Sequence, residues 1–255
     1  MAVQPWRTGK VIRIVQETPA TRRYWIQVPE LERFDFAPGQ FVTLDLPIHE
    51  KPNKRWRSYS IASWPDGTNV FELVIVLLEG GAGTTYIFNE VKEGHEFTFR
   101  GPQGVFTLPD TIDRDLFFIC TGTGVAPFRS MVHHIVNHNV PHQSIYLIFG
   151  CRKFGDCLYG AELRELEQQV PGFRYIPTFS RETPDNNNHL FRTGYVHAVY
   201  EEILKNGMKT DQEGTTPPKP AWFYLCGWKA MIDEAKKRIQ DLGYDRKAIH
   251  QELYG

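Results

Sequence analysis

Leu116-Phe117-Phe118-Ile119-Cys120-Thr121-Gly122-Thr123-Gly124-Val125-Ala126-Pro127-Phe128 begins as an unbroken apolar run, tightens through two glycines and opens into a stretch of helical period. An apolar run without alternation suits a strand covered on both faces, as in a parallel sheet. Pro127 stands near the first helical position, where its missing N–H leaves no bond unmade. Glycines in the turn let backbone amides approach an anion closely, and the helix start adds partial positive charge. A tight strand-to-helix turn also wants glycine for conformational reasons alone. The stretch therefore decides the local fold and leaves its chemistry open. It is neither a Walker loop, lacking Gly-Lys-Thr or Gly-Lys-Ser, nor a complete Gly-x-Gly-x-x-Gly.

Downstream the same texture repeats. Strands are expected at 116–120, 144–149, 173–179 and 222–226, alternating with helical patterns at 127–137, 161–169, 194–205 and 229–242. That alternation predicts a parallel sheet with helices on both faces. Upstream, short alternating segments at 10–16, 22–28, 40–46, 58–63, 70–77 and 96–100 are broken by Pro and Gly, the pattern of an antiparallel barrel or sandwich. Gly, Pro and Asp cluster from Gly101-Pro102-Gln103-Gly104 through Asp113, and the connection between the two regions is expected there. The fold class is β followed by α/β, with an N-terminal antiparallel β-barrel over residues 1–110 and a C-terminal parallel-sheet domain over residues 111–255. Asn186-Asn187-Asn188 and Thr215-Thr216-Pro217-Pro218-Lys219-Pro220 read as surface loops.

Composition agrees with two compact units. The chain has 255 residues, 41% hydrophobic and 23% charged, and its 29 basic and 30 acidic side chains leave a net charge of -1. No polyelectrolyte partner follows, so nucleic acid is excluded as a first reading. No apolar run approaches the roughly 18 residues needed to span a bilayer, and the first residues lack a leader pattern. A cytoplasmic protein without membrane insertion is expected. Cys120, Cys151, Cys157 and Cys226 neither suggest a disulfide framework nor offer the spacing of a plant-type iron–sulfur cluster.

Two further stretches carry chemical promise. In Arg57-Ser58-Tyr59-Ser60, on a predicted strand, Arg57 and Tyr59 share one face while Ser58 and Ser60 share the other. A guanidinium fork for phosphate oxygens beside a ring that offers a stacking face suits a ligand with both phosphate and a flat ring system. In Gly80-Gly81-Ala82-Gly83-Thr84-Thr85, successive amides plus a hydroxyl at a helix start make an anion nest. Each stretch alone has a bland structural explanation. Their joint order, with Leu225-Cys226-Gly227 and the terminal Glu252-Leu253-Tyr254-Gly255, does not.

Over nearly its whole length the chain resembles the ferredoxin–NADP reductase superfamily. The flavin motif Arg-x-Tyr-Ser matches Arg57, Tyr59 and Ser60. The Gly-x-x-Ser phosphate loop looks like Gly81-Ala82-Gly83-Thr84, with Thr in place of Ser. The pyridine-nucleotide motif matches Gly122 to Pro127, and the Cys-Gly pair matches Cys226-Gly227. The resemblance implies an FAD-binding barrel followed by a Rossmann-like NAD(P) domain, with the active site in the cleft between them. It implies that Arg57 and Ser58 serve the FAD, with Arg57 on the pyrophosphate, Tyr59 on the isoalloxazine and Ser60 donating to the reducible ring nitrogen. Val74, Ile75 and Val76 would line the flavin, and Gly81, Ala82, Gly83 and Thr84 its phosphates. Thr121, Gly122, Thr123, Gly124, Pro127, Cys226 and Gly227 would receive the nucleotide, Thr121 and Cys226 flanking the nicotinamide. Tyr254 would cover the flavin face as a gate, and Ser60, Cys226, Glu252 and Tyr254 form the catalytic set. Ser180-Arg181 resembles the pair that grips the 2′-phosphate of NADP(H), while the segment around Arg192 looks more like that of oxygenase-type reductases, many of which use NAD(H).

The implied activity is electron transfer between NADPH and a separate one-electron carrier, a ferredoxin or flavodoxin, for which Lys51, Lys54 and Arg55 would form a docking patch. The alternatives are an NADH-dependent reductase component of an oxygenase and a flavin-holding electron-transfer subunit. No metal is expected: His134, His138 and His142 recur at helical spacing beside His133, but Pro141 interrupts the helix. Oligomeric state is not legible in this pattern.

Overall fold

The computed structural model describes residues 4–183, 191–207 and 218–254. The expected loop at Asn186 to Asn188 and residues 215–217 of the Pro-rich one lie outside the described residues. The chain divides into two compact units, Met1–Leu108 with Ala126–Asn139, and Pro109–Val125 with Val140–Gly255.

In the first unit, β1 (Trp6–Thr18), β2 (Thr21–Gln27), β3 (Phe41–Asp45), β4 (Trp56–Ser60), β5 (Val70–Val76) and β6 (Glu96–Gln103) form a six-stranded antiparallel sheet in the order β4-β3-β6-β1-β2-β5. Just past β4, the Ala62 N–H donates to the Glu72 carbonyl on β5 at 2.8 Å, which ties the two outer strands together. The period of two places Tyr24 and Ile26 of β2, Phe71, Leu73 and Ile75 of β5, and Phe97 and Phe99 of β6 in one core. Each such side chain contributes about 1.5–3 kcal/mol by leaving water.

Three helices complete this unit: α1 (Pro52–Arg55), α2 (Ala82–Glu90) and α3 (Ala126–Asn137). The sequence pattern marks only the start of α2, because Gly83, Thr84, Thr85 and Ile87 are weak helix formers. Burial of Ile87 in the core supplies what propensity lacks. The helix expected at 127–137 is α3, and it is buried nearly all round. Its Phe128 ring lies 5.8 Å from that of Phe106. Residues 101–103, expected in the connection, instead extend β6, since Gln103 pairs with Phe41 of β3.

The second unit is a six-stranded parallel sheet in the order β10-β9-β8-β7-β11-β12. Its strands are β7 (Asp115–Thr121), β8 (Ile145–Cys151), β9 (Phe173–Phe179), β10 (Arg192–Thr193), β11 (Ala221–Trp228) and β12 (Ile249–Tyr254). Helices α5 (Val196–Gly207) and α6 (Lys229–Asp241) cover one face, packing Tyr200, Leu204, Ile232 and Ile239 on Phe117, Ile119, Phe223 and Leu225. A further helix, α4 (Gly160–Gln169), connects β8 to β9. Residues 249–254, which include Glu252 and Tyr254, form β12 at the sheet edge. Strand order runs one way from β7 through β8 to β10 and the other way through β11. That reversal between β7 and β11 is a topological switch point, and the carboxyl ends of the strands at such a point are where open α/β sheets take ligands.

Candidate functional site

In the first unit, Arg57 leaves β4 and lies across the first turn of α2. Gly83 is what lets it do so: a Cβ there would stand 3.0 Å from both Cγ and Nε of Arg57. The guanidinium is held by one nitrogen, Nη1 donating to the Lys54 and Trp56 carbonyls at 3.1 and 2.8 Å. Nε and Nη2 are left for another acceptor. Beneath it, the first helical bond of α2 runs from the Thr85 N–H to the Gly81 carbonyl at 2.9 Å, so the amides of Ala82, Gly83 and Thr84 precede the helical ladder. The Thr84 hydroxyl donates to the Gly81 carbonyl and accepts from the Leu78 N–H, both at 3.1 Å, and so shapes the loop. A planar cation laid beside the first-turn amides of a helix fits a phosphate or pyrophosphate.

Beside this cradle, Tyr59 pairs with Val42 and packs half-buried on the core. Burial pushes its phenol well above the ordinary range, against the opposite pull of Arg57. Ser58 reaches Thr43 Oγ1 at 3.1 Å, while Ser60 is buried at the strand end. On β5, Ile75 joins the core, while Val74 and Val76 share the opposite face with Glu72.

Sequence reasoning missed Glu72. Its carboxylate, 2% exposed, accepts from Arg23 Nε at 2.6 Å and Nη2 at 3.2 Å, and from Arg129 Nη1 at 3.1 Å. Arg129, 4% exposed, also donates to the Ala62 carbonyl at 2.8 Å and lies 5.2 Å from the Trp64 ring, which stacks on His133. Arg23, Glu72, Arg129 and Trp64 line a hollow of about 280 Å³ with Trp25 and Ser63. The available signal was an acid inside the apolar run Phe71-Glu72-Leu73-Val74, since a buried charge needs a partner.

In the second unit, the switch point gathers Thr121, Gly124, Cys226 and Gly227. A Cβ on Gly124 would lie 2.4 Å from the Cys226 carbonyl oxygen, and one on Gly227 would lie 2.4 Å from Thr121 Oγ1. Gly122, at φ +55, takes the left-handed turn into a short 3₁₀ segment, Gly122–Val125, which carries Thr123 and leads to Pro127 at the head of α3. Along the edge, β12 sets Glu252 opposite Cys226 and Tyr254 opposite Trp228. Cys226 is fully buried; burial pushes its thiol up, Glu252 adds to the rise and a hydrogen bond with Tyr254 opposes it. The thiol stays protonated at neutral pH.

Ser180 and Arg181 follow β9. Ser180 N–H donates to the Cys151 carbonyl at 3.0 Å and Arg181 N–H to that of Arg152 at 2.9 Å, which leaves the Arg181 side chain exposed. Arg192 is tied instead to Glu202 at 2.9 Å. Of the three expected docking cations, Arg55 forks onto Asp45 at 2.8 and 2.5 Å, while Lys51 and Lys54 are exposed. Among the described residues, no group of three or more His, Cys, Asp or Glu converges for a metal, and no helix is long and apolar enough to cross a membrane.

An antiparallel sheet with a phosphate cradle and a parallel sheet with a glycine-lined switch point together define a two-unit protein suited to phosphate-bearing cofactors. Comparison with known proteins agrees. Residues 8–108 match the oxidoreductase FAD-binding domain family and residues 118–237 the oxidoreductase NAD-binding domain family. Ferredoxin–NADP reductase B of Sorangium cellulosum is 30% identical over 96% of this chain and 96% of its own. The phenol hydroxylase P5 protein of Acinetobacter pittii is also 30% identical over 96% of this chain, which spans 64% of that protein. Among solved structures, the Amycolatopsis cytochrome P450 reductase GcoB superposes with a TM-score of 0.81 at 26% identity, covering 99% of this chain and 71% of its own. A ferredoxin–NADP⁺ reductase from Neisseria gonorrhoeae with bound FAD and NADP shares the fold at TM-score 0.76 and 23% identity, over 97% of this chain and 98% of its own. The chain belongs to the ferredoxin–NADP reductase superfamily, and its cofactors are FAD and a pyridine nucleotide.

Proposed function

We propose that the chain is a ferredoxin- or flavodoxin-type NADP⁺ reductase that moves electrons between NADPH and a separate one-electron carrier. Bound FAD supplies the exchange of a nicotinamide hydride for single electrons; the residues bind, orient and handle the proton. Arg57 and the α2 amides hold the FAD pyrophosphate, with Gly81, Ala82, Gly83 and Thr84 shaping the loop. Tyr59, Val74 and Val76 meet the ring, and Ser60 offers a hydroxyl to it. On the nucleotide side, Thr121, Gly122, Thr123, Gly124 and Gly227 admit the dinucleotide, and Arg181 reaches its 2′-phosphate. Tyr254 stands beside Cys226, where the nicotinamide is expected, so the ring has to move before substrate docks. Glu252 is the nearby carboxylate available to move a proton.

The observation that carries this reading is the Arg57 side chain laid over Gly83 with two guanidinium nitrogens left for an acceptor. Choice of NADPH rests on the exposed Arg181, whereas Arg192 is engaged by Glu202. A second reading, the NADH-dependent reductase component of an oxygenase, is favoured by the similarity to the phenol hydroxylase P5 protein. Anaerobic titration with each nucleotide, followed by flavin absorbance, separates them. Bleaching at lower NADPH than NADH is expected; a large preference for NADH transfers the assignment to the second reading. Tyr254→Ser should tighten nicotinamide binding, and unchanged kinetics would remove Tyr254 from the site.

A further inference from the structure

The four cysteines fall into two groups. Cys120 and Cys226 are buried partners on adjacent strands β7 and β11, and burial pushes both thiols far up. They are inert. Cys151 and Cys157 are partly exposed and sit at the two ends of a loop containing the short Phe154–Asp156 turn.

Three neighbours converge on the Cys157 sulfur. The Tyr175 hydroxyl is 3.1 Å away. The Cys151 thiol is hydrogen-bonded to it. Gly160, the first residue of the ten-residue helix α4, lies directly under it, since a Cβ there would come within 3.1 Å of the sulfur. With the Tyr175 hydroxyl and the Cys151 thiol each able to donate to it and a helix N-terminus beneath it, this sulfur is the best placed of the three groups to carry a negative charge. The Cys151 proton has a second acceptor, the Lys153 carbonyl at 3.7 Å, but an ionised sulfur is the stronger of the two. The neighbours respond accordingly: the hydrogen bond to Cys157 is the first cause that raises the Cys151 thiol, and Cys157 adds to the burial that raises the Tyr175 phenol. Asp156 also opposes ionisation of Cys151, and Arg152 and Lys153 are exposed to solvent.

We propose that Cys151 and Cys157 form a redox-active dithiol that reacts with hydroperoxides, Cys157 as the attacking sulfur and Cys151 as the resolving one. The Cys157 thiolate attacks the terminal peroxide oxygen, an S–O bond forms as O–O breaks, and the departing alkoxide takes a proton to leave as alcohol or, from hydrogen peroxide, as water. Cys151 then attacks the Cys157 sulfur. An S–S bond forms, S–O breaks, and the hydroxyl leaves as water with the Cys151 proton. Two thiols and one peroxide thus give one disulfide, one alcohol and one water. The bridge closes against the turn after β9, whose Ser180 N–H donates to the Cys151 carbonyl.

The test is hydrogen peroxide treatment of the reduced holoenzyme, alkylation of remaining thiols and peptide mapping. A disulfide between 151 and 157 is expected, with Cys120 and Cys226 still free. Cys151→Ser should stop at a Cys157 sulfenic acid that dimedone traps, whereas Cys157→Ser should give far less adduct at Cys151. Tyr175→Phe, which keeps the ring and removes the donor, should slow trapping at Cys157. Oxidation of Cys120 or Cys226 ahead of the pair, or equal trapping in the two serine variants, overturns the proposal.

Discussion

At the α2 cradle the group offered to a ligand is a long cation, Arg57, steadied by two carbonyls and laid over a glycine. At the ends of β7 and β11 the close contacts belong to glycines: Gly124 against the Cys226 carbonyl and Gly227 against Thr121. The first unit also carries its buried charge, Glu72 with Arg23 and Arg129, on the same strand face as Val74. One region is built from charge and the other from the space left by absent side chains. They should fail differently. Removing a charge should damage the first and barely touch the second, whereas a methyl at Gly124, which meets backbone, should damage the second more than a methyl at Gly83, which meets the flexible Arg57 side chain, damages the first.

The largest effect is expected from Glu72→Ala, which leaves two arginines facing one another, one of them buried. A loss of about 3–5 kcal/mol is expected in denaturant unfolding, because the buried Arg129 stays charged after its carboxylate partner is removed. A midpoint within error of the parent would show the triad to be incidental. Next comes Gly124→Ala. Its Cβ would meet backbone, not a flexible side chain, so the turn has to shift at a cost of about 1–3 kcal/mol. Weaker nucleotide binding with FAD retention unchanged is expected, read by titration of the yellow protein; loss of FAD instead would erase the contrast between the units. The smallest is Arg192→Ala. Both partners of that ion pair are about half exposed, so stability should move by no more than about 1 kcal/mol. A larger shift in the thermal midpoint would mean that charge matters in the second unit too.

Much of this was legible locally. The strand, glycine turn and proline-headed helix from Asp115 to Asn137 appear as read, because an apolar run followed by helical period leaves few other folds. The shared face of Arg57 and Tyr59 follows from strand alternation alone. What escaped depends on contacts distant in sequence. Helix α2 is weak by propensity and forms because Ile87 finds a core. Residues 249–254 are not among the expected strands and form one because β11 pairs with them. Glu72 meets Arg129 across 57 positions, and Arg55 and Arg192 are taken by Asp45 and Glu202. No short-range pattern announces such pairs.

The central claim is that Arg57 and the first turn of α2 hold FAD by its pyrophosphate. Calorimetric titration of FAD into deflavinated protein, parent against Arg57→Ala, tests it most directly. Removal of the charged donor should weaken binding by about 1.5–3 kcal/mol, roughly ten- to a hundredfold. Equal affinity in the two proteins would contradict it.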